Sequence, residues 1–168
     1  MILKGKQLTI MPLLEGEEKL KVLNLQENRI QKIENLVSLH SLVYLDLYNN
    51  HIEELAELTK IPTLKMLMIG MNRIKRIKNL DHLPILQGLD LNNNQISKIE
   101  NLKCLKDLRL LNLSNNSITK IENLDGLVNL NELNLSKNRI EMVSGLAAVP
   151  ILNKLILSEN RITSVDKI

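Results

Sequence analysis

Residues 86–107 read LQGLDLNNNQISKIENLKCLKD, and the same arrangement recurs along almost the whole chain. Equivalent segments begin every 22 residues, without insertion or deletion, in six complete units and a shortened seventh. Within a unit the first and fourth positions are always Leu, the ninth is always Asn and the eleventh is always Ile. The units begin at Leu20, Leu42, Leu64, Leu86, Leu108, Leu130 and Leu152. A fixed period of this length predicts a solenoid in which each unit is stabilised by its neighbours.

The apolar positions predict the path of the chain within each unit. Positions four to six of each unit alternate between an inward apolar residue, usually Leu, and an outward residue. This alternation predicts a short strand at 22–25, 44–47 and their equivalents, with positions four and six facing the core. Positions fourteen, seventeen and twenty are apolar at a spacing of three, which favours a tight 3₁₀-like return. The predicted fold is an α/β solenoid: a right-handed arc with a concave parallel β-sheet and convex 3₁₀ or short-helical turns.

The Asn at position nine follows each strand, where the chain turns into the core. Its buried amide can bond backbone groups that would otherwise lack partners. We therefore expect a ladder of seven buried asparagines: Asn28, Asn50, Asn72, Asn94, Asn116, Asn138 and Asn160.

The two ends of the chain depart from the repeat. Residues 1–19 fit a degenerate half-unit that we expect to act as an N-terminal cap, because Leu8, Met11 and Leu14 fall at positions eleven, fourteen and seventeen. The repeats then occupy residues 20–168. The last unit stops midway at Ile168 without a polar cap, which predicts a fragment of a longer protein.

The amino-acid composition argues against several classes of function. There is no Phe or Trp and only two Tyr, and a net charge of +3 is weakly basic, so we expect no nucleic-acid partner. The lone Cys104 excludes an intramolecular disulfide, and no apolar run approaches membrane-spanning length, which favours a cytoplasmic location and no membrane partner. The residues form no recognisable catalytic set, metal site or cofactor-binding motif.

The unit resembles the short, intracellular class of leucine-rich repeats, in which IENL recurs as it does here at 33–36, 99–102 and 121–124. The class is typified by a regulatory subunit of protein phosphatase 1. In that regulator, position five alternates acid and aromatic residues; here Asp46, Met68, Asp90 and Asn112 keep the acids but lack the aromatics.

A closer similarity is to the leucine-rich-repeat subunits of tubulin polyglutamylase complexes. It lies in GKQLTIMPLLEGEEKLKVLNLQEN, LDLYNNHIEEL and IGMNRIKRIKNL. The resemblance implies a non-catalytic subunit of a cytoskeletal or ciliary assembly.

Two surfaces are candidates for contact with a protein partner. Positions three, five, seven and eight should line the concave face, where exposed Tyr and Met are typical of interaction sites. The predicted contact residues there are Tyr44, Asp46, Tyr48, Met66, Met68, Met71, Asp90 and Asn112. A basic edge, defined as Arg29, Arg73, Arg76 and Lys98, is either a solvated surface or an attraction for acidic partners such as tubulin tails.

Three functions remain open at this point. The first is a non-catalytic protein–protein interaction scaffold, a regulatory or targeting subunit of a tubulin-modifying complex. The second is a phosphatase 1 regulatory subunit that binds the catalytic subunit through its concave face. The third, an enzyme, would require an appended catalytic domain.

Overall fold

A computed structural model describes residues 1–166. Seven short strands, one in each unit, form a single parallel sheet in chain order, so the predicted sheet is confirmed. Equivalent positions lie side by side: Leu45 is opposite Leu23 on one side and Leu67 on the other. The strands of this sheet are β1 (Val22–Asn24), β2 (Tyr44–Asp46), β3 (Met66–Met68), β4 (Gly88–Asp90), β5 (Leu110–Asn112), β6 (Glu132–Asn134) and β8 (Lys154–Ile156).

Leucine and isoleucine form one continuous core along the solenoid. In the first six units the position-four and position-six residues, such as Leu45 and Leu47, are buried beneath the sheet, as their alternation predicts. The apolar residues of the return segments close the core from the opposite side; Ile99, Leu102 and Leu105 are buried there. Because each unit contributes the same small side chains in register, the core needs no large aromatic residue to fill gaps.

The return segments differ from the prediction, since within residues 1–166 3₁₀ helices occur in two units only, at Leu58–Lys60 and Leu146–Ala148. A 3₁₀ helix needs consecutive i→i+3 hydrogen bonds. In the second unit the amides of Lys60 and Ile61 donate to the carbonyls of Glu57 and Leu58. In most units the amides that donate such i→i+3 hydrogen bonds are not consecutive but lie three residues apart, as in the first unit. The chain therefore makes separate turns there and no helix.

The Asn ladder links each unit to the next. The Asn72 side chain accepts a hydrogen bond from the Ile52 amide (2.9 Å) and donates to the carbonyls of Leu47, Ile69 and Gly70 (3.0, 3.1 and 3.0 Å). The same bonds recur in every unit, although Asn94, Asn116 and Asn160 are half-buried rather than buried. The amides therefore satisfy buried backbone groups on both sides of a unit boundary.

The ends of the solenoid carry smaller pairings. Ile2 bridges Asn24 in parallel, and Met11 is buried against the first unit. A second sheet, which the sequence did not predict, pairs β7 (Met142–Val143) with β9 (Ser164–Val165). Ile168, at which the sequence stops in mid-unit, lies outside the described residues. Within residues 1–166 no helix is long and apolar enough to cross a membrane.

Candidate binding surface

The outward side chains at positions three, five and seven of the strand segments form one continuous surface, which we call the sheet face. Parallel register places equivalent residues on neighbouring strands about 4.8 Å apart. Tyr44, Met66, Gly88 and Leu110 consequently form one row, and Asp46, Met68, Asp90 and Asn112 form a second. Six of the eight predicted contact residues belong to these two rows.

Asp46 is almost completely enclosed, with 1% of its surface exposed. The Tyr44 hydroxyl (3.1 Å), the Tyr48 backbone amide (3.1 Å) and the Gln26 side chain all donate hydrogen bonds to its carboxylate. Burial, followed by the charge of Asp46 and the hydrogen bond to it, raises the pKa of Tyr44 above the ordinary tyrosine value. The carboxylate is thus saturated by its own neighbours and is not presented to a partner.

Position five has a structural role that the sequence analysis missed. In most units its side-chain oxygen accepts a hydrogen bond from the backbone amide two residues later, which closes an Asx turn at the strand end. Asp90 bonds the Asn92 amide at 2.9 Å, and Asn112 bonds the Ser114 amide at 3.1 Å. Asn forms this turn as well as Asp does, so the turn does not require the negative charge of Asp90.

A groove of about 210 Å³ crosses the sheet face from β3 to β6. Apolar groups occupy its floor: Met66 and Met68 are half-buried, and Leu110 is 45% exposed. The remaining rim is polar. The lining residues are Met66, Met68, Gly88, Leu89, Asp90, Leu110, Leu111, Asn112, Glu132 and Asn134.

Two glycines shape the sheet face around this groove. A side chain at Gly88 would overlap the tip of Met66, which lies across the glycine. A side chain at Gly70 would overlap the Asn92 side-chain amide, so the space beside Gly70 is filled by that asparagine. The absence of a side chain at Gly88 lets the tip of Met66 lie across β4 within the groove.

The predicted contact residues thus separate into two groups. Met66, Met68, Asp90 and Asn112 line the groove, whereas Tyr44, Asp46, Tyr48 and Met71 lie outside it. Sequence reasoning missed Leu110 and Glu132. Both occupy position three, next along the row from Gly88, and an exposed Leu at an outward strand position was the available signal.

Opposite charges partly neutralise the predicted basic edge. Arg76 makes a bidentate ion pair with Glu100, with both distances at 2.9 Å, and this hydrogen bonding lowers the pKa of Glu100. Arg29, Arg73 and Lys98 are exposed. Within residues 1–166 no group of three or more His, Cys, Asp or Glu side chains could hold a metal ion.

A family model described as Leucine Rich repeats (2 copies) matches residues 18–60, 62–104 and 106–148, which is most of the chain. The chain belongs to the leucine-rich-repeat family. Solenoids of this family typically act as non-catalytic binding scaffolds. No curated protein matches the chain.

Many solved structures have the same leucine-rich-repeat fold. An internalin (inlF) of Listeria monocytogenes is 32% identical with a TM-score of 0.76, over 89% of this chain and 48% of that protein. A leucine-rich-repeat protein of Leptospira interrogans is 28% identical (TM-score 0.79), over 89% and 43%. Internalin C2 of Listeria monocytogenes is 29% identical (TM-score 0.78), over 87% and 65%. The chain spans less than two thirds of each of these proteins.

Proposed function

We propose that this leucine-rich-repeat chain is a non-catalytic scaffold that binds a protein partner on its sheet face, with the groove at the centre of the contact. The observation that carries the proposal is the cluster of accessible Met66, Met68 and Leu110 side chains in one depression of that face. Solenoids bind partners through such extended surfaces, and clustered exposed apolar side chains mark interaction sites. Tyr44 and Tyr48, on the neighbouring β2 unit, would extend the contact.

A finer proposal concerns the assembly in which the scaffold acts. We propose a regulatory or targeting subunit of a cytoplasmic tubulin-modifying complex, associated with the cytoskeleton or cilium. Its support is the sequence similarity to polyglutamylase subunits, together with exposed cations at Arg29, Arg73 and Lys98 that would attract glutamate-rich tails. Co-purification of tubulin-modifying enzyme subunits with the tagged chain from ciliated cells would support it, and their absence among specifically retained proteins would contradict it.

The alternative is a regulatory subunit of protein phosphatase 1. The order of acids in position five favours it, but Asp46 is enclosed by Tyr44 and Gln26, so only Asp90 offers a carboxylate oxygen to the enzyme. Direct titration of the chain with the purified phosphatase catalytic subunit separates the two assignments. Micromolar or tighter binding that depends on Asp90 would favour the phosphatase.

The scaffold function itself is tested by comparing two double variants for their ability to retain partners from native lysate. Met68→Ala with Leu110→Ala removes apolar surface from the groove, and we expect the bound partner to be lost. Val37→Ala with Val128→Ala removes exposed apolar surface outside the groove and serves as the matched control. Equal recovery of every specifically bound protein by both variants would contradict binding at the sheet face.

A further inference from the structure

We propose that the groove receives a basic side chain, Lys or Arg, from a protein segment whose neighbouring apolar residues rest on Met68 and Leu110. This inference depends on the proposed function and adds the chemistry of the partner to it. The aliphatic stem of the basic side chain would lie over Gly88, with its charged end at Asp90.

The floor of the groove fits an aliphatic stem. Gly88 contributes no side chain, the flexible tip of Met66 lies across it, and Met68 and Leu110 line the groove beside it. Lys and Arg bury their methylene stems on apolar surface while the charged group remains near polar atoms. Methionine is unbranched and flexible, so the tip of Met66 can move aside when a stem enters.

The charges lining the groove are all negative. Asp90 and Glu132 are its ionisable residues, and Glu132 already pairs with Lys154 at 2.9 Å. In Asp90 one oxygen, Oδ1, accepts both the Asn92 backbone amide (2.9 Å) and the Asn92 side-chain amide (2.6 Å). The other oxygen, Oδ2, has no hydrogen-bond or ion-pair partner among residues 1–166, so it is available for a charge-assisted hydrogen bond from a cation.

The surrounding sheet face selects against acidic partners. From β2 to β6, positions three, five and seven contain Asp46, Asp90 and Glu132 but neither Lys nor Arg. The chain as a whole has a net charge of +3, so the negative charge of the sheet face is opposite in sign to the net charge of the chain. A basic segment is attracted to this surface, whereas an acidic segment is repelled.

The test uses random 12-residue peptides displayed on phage and selected on the immobilised chain, followed by affinity measurements on the selected peptides in solution. Asp90→Asn removes the charge and keeps the Asx turn, because Asn24, Asn112 and Asn134 already make this turn in other units. The matched control, Asp125→Asn, removes an exposed carboxylate outside the groove. Equal melting temperatures for both variants establish that folding is unchanged.

We expect the selected peptides to carry Lys or Arg beside a large apolar residue. Asp90→Asn should weaken them by about tenfold and Asp125→Asn should leave them unchanged. The inference is overturned if the selected peptides lack a basic residue, if Asp90→Asn binds them as tightly as the native chain, or if no peptide is selected. One further result separates the two proposals. If a native partner is lost by the Met68→Ala, Leu110→Ala double variant but retained by Asp90→Asn, the proposed scaffold function stands and the proposed basic side chain in the groove is overturned.

Discussion

Asparagine at three positions of the repeat unit performs three different tasks. At position nine, Asn72 bonds backbone groups of two units. At position five, Asn112 closes a turn within its own strand end. At position sixteen, Asn101 adopts a left-handed backbone (φ 58°) and donates to the Ile77 carbonyl of the preceding unit at 2.7 Å. The sequence predicted only the first role, because position nine is invariant while the other two positions accept several residue types.

The ladder predicts an unequal response to two Asn→Ala substitutions. Asn72→Ala leaves the buried Ile52 amide without its acceptor, so we expect a loss of about 1–3 kcal/mol in the free energy of unfolding. Asn131→Ala changes an exposed asparagine whose side chain makes no hydrogen bond within residues 1–166, and its effect should be close to zero. Chemical denaturation of both variants measures the difference. Equal losses would refute a specific role for the ladder.

Tyr44 gives the sheet face a measurable pH response. Its pKa is raised in the folded chain, so the unfolded chain loses this proton first as pH rises. The stability that Tyr44 contributes is therefore complete below the ordinary value of about 10 and is lost as pH passes through the higher folded value. Subtracting the phenolate absorbance titration of Tyr44→Phe from that of the native chain should give a midpoint above the ordinary value. A midpoint at or below it would contradict the contact with Asp46.

At the scale of the element, strands were predictable and return segments were not. A strand is determined by alternation of Leu with outward residues, which the sequence displays in every unit. The conformation of the return segment is determined by which backbone amides form hydrogen bonds, and these bonds depend on the residue at position sixteen. Asn holds that position in the units with open turns, such as Asn79 and Asn123, whereas Glu57 and Gly145 precede the two 3₁₀ helices.

Glu57→Asn should therefore stabilise the chain. Glu57 has φ of 51°, a left-handed conformation that Asn tolerates better than Glu does. The new amide should donate to the Ile33 carbonyl, as Asn79 donates to Leu55, and we expect a gain of roughly 0.5–1 kcal/mol. Glu53→Asn, at an exposed site four residues earlier, is the charge-matched control. A melting temperature no higher than that of the control would show that position sixteen does not govern the return.

At the scale of the whole molecule, the sequence predicted which residues share a face but not which of them meet. Register alone places Met66, Gly88 and Leu110 in one row. Whether that row forms a groove depends on side-chain conformation: Met66 lies across Gly88, and Tyr44 turns onto Asp46. Periodicity carries no information about these contacts, so the sequence could not show that a groove extends from β3 to β6 and that Tyr44 and Asp46 lie outside it.

The same architecture predicts a gradient of stability along the chain. A central unit is stacked on two neighbours, and its Leu89 is 2% exposed, whereas Leu155 on β8 is only half-buried. In a solenoid, stability is approximately the sum of unit and neighbour terms, so units with fewer buried contacts open more readily. Hydrogen exchange should be slowest for amides of β3 to β5 and fastest for those of β8 and β9.

Two substitutions test whether that gradient comes from stacking. Leu89→Ala removes fully buried core contacts, so it should cost about 2–5 kcal/mol and accelerate exchange in the units on both sides of β4. Leu155→Ala removes half-buried contacts, and its effect should be smaller and confined to the last two units. If both variants accelerated exchange uniformly from β1 to β9, the chain would unfold as one cooperative block. Coupling between units would then exceed the intrinsic differences among them, and the predicted gradient of stability would be wrong.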